Sequence, residues 1–336
     1  MKTTRLGKTR FAEIDIARGV GILLVVAGHA LKQTGQSNTV FDILLSVIYS
    51  FHMPLFFILS GFVAVKSIEE TDLISFTKKR ACRLLIPYFF MSILYIPVKL
   101  YLSAYAVKPF TLGDSWKILI GESPDVEMWF LFVLFWISVL TALLVRKERL
   151  KLFLSLSLLL SLVMYGAGWD IRILKYWFFY LLGLTLRLHY AKLRFRLNQK
   201  GILSLAGILF IAANVGLYWG SASGIRLLSY INIEILPLLS AVSGSLLVLA
   251  LSWRLSLGEG QAKKFFGLLG DYSMDVYITS DPLNTITRLI LWNKMAVNYI
   301  SVTVICFILG LLIPIPLSRY IIRKVRIFRK LILGLD

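Results

Sequence analysis

About ten stretches of roughly twenty mainly apolar residues recur along this chain, each long enough to cross the hydrocarbon core of a bilayer. They fall near residues 14–33, 41–65, 84–104, 127–145, 152–168, 171–188, 201–219, 230–251, 270–291 and 297–317. The pair 152–168 and 171–188 reads as a tight helical hairpin turning at Gly166 to Asp170. In a bilayer core every backbone N–H and C=O must be satisfied within the chain, so runs of this length are helices. Composition supports this: 58% of the 336 residues are hydrophobic and 16% charged, against an apolar share of about 45–50% in ordinary globular domains. The expected fold is an all-α integral membrane protein, a single bundle of about ten transmembrane helices.

The 37 Lys+Arg against 18 Asp+Glu give a net charge of +19, which in a soluble protein would raise nucleic acid as a partner. Their placement argues otherwise. If the amino terminus is cytoplasmic, most of the cations gather on one side: Lys2 to Arg10, Lys66 to Arg83, Arg146 to Lys151, Arg187 to Lys200, Arg254 to Lys264 and Arg319 to Lys330. Short basic loops resist translocation, so this bias favours an even number of spans with both termini cytoplasmic. Loops of this length make no continuous basic surface, which excludes a nucleic-acid role.

The amino terminus is basic and then apolar, as in a secretory signal, but no small-residue cleavage site ends the apolar run, so it reads as an uncleaved first span. The chain is expected to be one polytopic domain over 1–336, with short basic tails at 1–13 and 318–336 and neither a linker nor an internal repeat. The longest outside loop, 105–126, carries turn chemistry at Lys108-Pro109, Gly113-Asp114 and Glu122 to Asp125, and is a candidate lid over an outward-facing cavity. Cys82 at the cytoplasmic edge and Cys306 inside the last span differ in depth, which argues against a disulfide. Two cysteines make no metal site, and no metal is expected.

An ionisable side chain at membrane depth costs roughly 2.5–3.5 kcal/mol on insertion scales, so each one is a functional candidate. The first span supplies Asp15, Arg18 and His29. Asp15 and Arg18 are three apart and can pair near the cytoplasmic edge. His29 lies eleven residues beyond Arg18, on nearly the same helical face but about 16 Å further along the axis. The two therefore mark a polar track across the bundle and do not form a dyad. Gly19, Gly21 and Gly28 would let neighbouring helices approach closely. The plainer account is a topological Asp15–Arg18 ion pair with His29 at the outer interface.

In the second span His52 precedes Pro54, which should kink the helix and free backbone carbonyls; His52 serves either as a catalytic group facing a cavity or as a hydrogen-bonded packing residue. Before the third span, Arg80 and Arg83 share a face and could form a fork for phosphates, or could simply anchor the chain to anionic lipid. Glu127 and Trp129 open the fourth span; the carboxylate could orient an imidazole or an acceptor hydroxyl, and the Trp also suits an interfacial belt. In the ninth span, near Asp271 and Asp275, Asp281 and Arg288 lie seven apart on one face and are expected to form a structural ion pair.

These residues resemble the membrane-bound acyltransferase family 3, ten-span O-acyltransferases of bacterial cell-surface and other glycans. The resemblance rests on Asp15-x-x-Arg18 with the Arg-x10-His spacing that ends at His29, on the block from Phe51-His52-Met-Pro54 to Ser60-Gly61-Phe62, and on Arg80-x-x-Arg83 before Pro87-Tyr88. Weaker later signatures are Trp129-Phe130-Leu131 and Leu269-Gly270-Asp-Tyr272-Ser273-x-x-Val-Tyr277. The resemblance implies a multi-pass protein of the bacterial inner membrane, with acyl-CoA as cytoplasmic donor, acetyl-CoA first among the candidates. The acceptor it implies is a sugar hydroxyl of a glycan or lipid-linked precursor. It also implies His29 as the main catalytic histidine, Arg18 as its required motif partner, and Arg80 and Arg83 as donor contacts. One departure stands out: relatives often carry a histidine where this chain has Thr279-Ser280-Asp281. The competing function is a transporter or exporter of a small carboxylate or glycan intermediate, using Arg18, His29 and His52 as its path.

Overall fold

The computed structural model describes residues 11–32, 38–103, 110–124, 126–166, 168, 170–220 and 235–335. Among them the regular structure is helical throughout. In chain order the helices are α1 (Ala12–Leu31), α2 (Thr39–Glu70), α3 (Leu73–Arg80), α4 (Ile86–Leu102), α5 (Trp129–Leu144), α6 (Leu150–Gly166) and α7 (Arg172–Leu188). They continue with α8 (Tyr190–Asn198), α9 (Lys200–Gly220), α10 (Leu236–Leu257), α11 (Gln261–Asp271), α12 (Ser273–Arg288), α13 (Tyr299–Leu312), α14 (Pro314–Leu317) and α15 (Arg326–Leu333).

Among the described residues, seven segments are long and apolar enough to cross a membrane: Ala12–Leu31, Thr39–Glu70, Leu73–Tyr101, Lys147–Gly166, Gly201–Trp219, Leu236–Leu257 and Tyr299–Ile322. Trp129–Leu144 is a shorter apolar helix. Two expected spans, 171–188 and 270–291, appear as α7 of 17 residues and α12 of 16, both carrying charge, so length and apolarity alone do not mark them as crossings. The expected hairpin is present, with α6 ending at Gly166, α7 starting at Arg172 and the two packed together. Of the candidate lid, residues 105–109 and Asp125 lie outside the described residues. Residues 112–120 form a short 3-10 helix capped by Thr111 and Asp114, and it is tied to α4 by the Tyr88 hydroxyl, which donates to the Ile118 carbonyl at 2.7 Å.

Local chemistry explains where the helices start and bend. Asn38 caps α2 by accepting from the amides of Val40 and Phe41 at 3.1 and 3.2 Å, and Asp72 caps α3 by accepting from the Ser75 amide at 2.9 Å. Helix α2 runs through Pro54 unbroken; burial of Phe51, Leu55, Phe57 and Ile58 holds the chain helical although the ring removes one backbone donor. Between α3 and α4 a π-helical turn, Ala81–Leu85, precedes Pro87. A proline there cannot donate to the Arg83 carbonyl, and the wider turn absorbs the mismatch.

Helix α1 is the axis of the bundle, packed by α2, α10, α11, α12 and α13, with most of its residues buried. The glycines that sequence singled out sit at these contacts. Gly19 lies against the backbone of Phe266, Gly21 against the ring of Phe56, and Gly28 against the ring of Tyr49. Gly270 of α11 meets the backbone of Asp15 in the same way, so α11 leads α12 onto the Asp15–Arg18 end of α1. Both cysteines are free thiols, Cys306 fully buried and Cys82 partly so.

Candidate active site

The polar residues of α1 fall into two groups at different depths. At the end nearer its start, Arg18 Nη1 lies 3.5 Å from Asp15 Oδ1, the pair expected from their spacing. Arg18 also lines a cavity of ≈240 Å³ together with Arg80 and Arg83. Ser60, Asp271, Ser273 and Tyr277 add polar lining, and Met53, Phe56, Phe130 and Leu131 close it with apolar surface. All three expected donor-site arginines thus face one space. Arg80 also stacks 5.1 Å over the Phe76 ring, and Arg83 Nη1 donates to the Leu333 carbonyl at 2.6 Å. A guanidinium group keeps several directed N–H donors after one is used, so Arg83 retains capacity for an anion.

Toward the other end of α1, His29 is buried and flanked by two carboxylates from different elements. Its Nε2 is 3.4 Å from Glu127 Oε2, and its Nδ1 is 3.8 Å from Asp281 Oδ1. Glu127 Oε1 also accepts from Lys32 Nζ at 3.0 Å. The Arg288 guanidinium donates to the backbone carbonyl of His29. Asp281 and Arg288, expected as an ion pair of their own, are thus both turned toward His29. Their shared face of α12 packs on α1, and the imidazole and its carbonyl are the polar partners that α1 offers there. The adjacent Ser280 is fully buried.

Between the two groups stands Tyr277. Its ring lines the arginine cavity and packs edge-on against Phe130 at 5.7 Å, while its hydroxyl donates to the Glu127 carbonyl. One side chain therefore touches both the cavity wall and the residue that holds His29. Sequence reasoning gave Tyr277 no role beyond a signature, although Tyr277, Asp281 and Arg288 recur at four and seven residues on one face of α12. It also passed over Lys32, three residues after His29.

His52 takes a different place. Its Nδ1 is 2.8 Å from the Ile48 carbonyl one turn back, and its ring lies 4.9 Å from that of Tyr49. Of the two uses left open for it, this geometry favours packing. Trp129 is sandwiched: Arg172 lies 4.8 Å over its ring, and Tyr176 stacks on it at 5.4 Å and on Phe57 at 4.8 Å. Arg172 is held by Asp170 at 2.9 Å. Next to Glu127, this gives the His29 end an aromatic wall with a charged rim.

An imidazole flanked by carboxylates from two other elements is confined in its ring orientation, as a general base requires. Among the described residues no group of three or more His, Cys, Asp and Glu side chains is arranged to hold a metal ion.

A family model described as an acyltransferase domain matches residues 11–319 of this chain. The chain is 38% identical over 89 residues to the nodulation protein NolL of Sinorhizobium fredii, covering 26% of this chain and 24% of that one. It is 29% identical over 150 residues to the nodulation protein NolL of Mesorhizobium japonicum, covering 43% of this chain and 39% of the relative. These matches thus span less than half the length of either relative. No solved structure matches the chain.

Proposed function

We propose an acyl-transfer reaction between two sides of a membrane for this chain, which belongs to the acyltransferase 3 family. The donor is acyl-CoA, acetyl-CoA first, bound from the cytoplasm with its phosphates toward Arg18, Arg80 and Arg83. The acceptor is a sugar hydroxyl of a surface glycan or its lipid-linked precursor, bound at the His29 end beside Glu127 and Trp129. The observation that carries this reading is the arrangement itself. A cavity lined by three arginines and a histidine flanked by carboxylates lie along one helix, joined through Tyr277.

In the proposed step the charge of Asp281 on the Nδ1 side favours the neutral tautomer protonated there, and the acceptor hydroxyl enters between Glu127 and Nε2, which is the base. The acceptor hydroxyl, oriented by Glu127, gives its proton to Nε2 as its oxygen bonds to the thioester carbonyl carbon. The C–S bond then breaks, and the departing thiolate takes the proton back from Nε2, leaving free CoA and an O-acyl sugar. Transient transfer of the acyl group to His29 is the two-step form of the same chemistry, and single-turnover trapping separates the two. The basic segments on the Arg18 side support a cytoplasmic donor end with both termini inside a bacterial inner membrane.

The test is turnover of acetyl-CoA by purified protein in detergent, with an acceptor glycan present. An enzyme releases CoA without any gradient, whereas an exporter does not. His29→Ala is expected to lower kcat by at least about 10²-fold while the protein stays folded, as loss of a general base does. Full activity in that variant would overturn the assignment.

A further inference from the structure

The family match ends at residue 319, yet the chain beyond it is folded against Arg83, which lines the arginine cavity. Two anchors hold this segment. At its start, Arg323 forms a two-pronged ion pair with the buried Asp275, Nε to Oδ1 at 2.9 Å and Nη2 to Oδ2 at 2.7 Å, and stacks 4.3 Å over the Tyr272 ring. At its end, α15 lays its fully buried Leu333 against α4, and the Leu333 carbonyl accepts from Arg83 Nη1 at 2.6 Å. Gly334 then turns left-handed at φ +58°, seated so closely on the Cys82–Arg83 backbone that an added Cβ would lie 2.7 Å from Arg83 Cα.

These anchors attach to two elements that both line one space. Ser273 and Met274, beside the Asp275 anchor, line the cavity on the α12 side, and Arg83 lines it on the α3–α4 side. A strap fixed to both walls sets their separation. The Leu333 carbonyl also fixes where Nη1 of the cavity-lining Arg83 points, and the remaining donors of the guanidinium stay available to an anion. A long arginine side chain otherwise loses rotamer freedom when it binds an anion, and a side chain already held in place avoids that cost.

We propose that the segment from Arg323 to Gly334 is a positioning strap for the donor site, holding Arg83 in the orientation that binds the phosphates of acyl-CoA. The inference rests on the donor reading above and adds to it a part of the site outside the family-wide domain. Gly334 and Leu333 touch no reacting atom in this scheme and act only through Arg83.

The experiment measures kcat and KM of the full-length chain with acetyl-CoA and with S-acetylpantetheine, which has the same thioester and no phosphate. Gly334→Val should raise KM for acetyl-CoA about tenfold, the worth of one charge-assisted hydrogen bond. It should leave kcat within about twofold and kcat/KM for acetylpantetheine unchanged. Added to Arg83→Ala, the same substitution should have no further effect, because the group it positions is gone. An unchanged KM, an equal loss on both donors, or losses that multiply in the double variant would each overturn the proposal. If Gly334→Val does not yield monodisperse protein, a chain ending at Val325 is held to the same criteria. Failure of the unaltered protein to use acetyl-CoA overturns the donor reading and the strap's role with it, whereas turnover with equal KM overturns the strap alone.

Discussion

His29 is where α1, the turn before α5 and α12 meet, and each brings one group to it: the imidazole, Glu127 and Asp281. Asp281 is the carboxylate on the Nδ1 side, 3.8 Å away at an ion-pair separation longer than a hydrogen bond, and its charge acts on the ring while Glu127 stands 3.4 Å from Nε2. Asp281→Asn keeps the size of the side chain but removes the charge that stabilises an imidazolium. It is expected to lower kcat by about 10²-fold with little change in KM, measured as CoA release at saturating acceptor. Asp281→Glu should recover part of the loss; equal activity of the Asn variant and the unaltered protein would remove Asp281 from the mechanism. Sequence alone could place Asp281 and Arg288 on one face of α12, and from that the natural expectation was a mutual pair. What it could not supply was the neighbour. Which helix packs on that face is decided by close approaches such as Gly19 on Phe266 and Gly270 on Asp15, across about 250 residues of chain.

At the scale of elements, α2 and α7 form the most extensive helix pair, and reciprocal glycines set it. Gly61 rests on the Tyr180 carbonyl and Gly183 on the Ile58 carbonyl, so a Cβ at either point meets backbone that cannot yield. Gly183→Val should destabilise the protein by about 1–3 kcal/mol, as core overpacking does, seen as a lower thermal midpoint in detergent. An unchanged midpoint would mean that the two helices part easily. The helix 112–120 offers a pH-dependent contrast. Lys117 at 2.8 Å and the Thr111 hydroxyl and amide hold the half-buried Asp114 carboxyl down to about 2. Because its folded value is depressed, the stabilisation it gives is complete above the ordinary carboxylate range and is lost as pH falls toward 2. Pepsin should therefore spare the exposed Leu112 and Leu119 at pH 4 and cut there at pH 2, while Asp114→Asn should be cut at both. Resistance of the Asn variant at pH 4 would show that the cap does not hold this turn. The α6–α7 hairpin, and the turning of Arg80 and Arg83 to one space, were legible because each depends on spacing within a single stretch. The uses of Tyr277 and His52 were not, since each depends on which partner lies within hydrogen-bond reach.

At the scale of the whole molecule, the arrangement works only if its two ends face different compartments. The arginine cavity runs from Arg18, Arg80 and Arg83 to Phe130 and Leu131 in the first turn of α5, just past Glu127, and a group passed from Arg18 to His29 moves along α1 by about 16 Å. From the positive-inside rule the arginine end is expected in the cytoplasm, and residues just past α5 and within 112–120 report on the two ends directly. In a background with Cys82 and Cys306 replaced by serine, Trp116→Cys and Glu148→Cys place single thiols at exposed positions on opposite ends of the bundle. A membrane-impermeant maleimide applied to intact spheroplasts should label the first and leave the second untouched until the membrane is permeabilised. The same side for both thiols would leave no cross-membrane transfer to explain. Reversed sides would put the arginine cavity out of reach of cytoplasmic acyl-CoA, and the donor and acceptor ends would have to exchange roles.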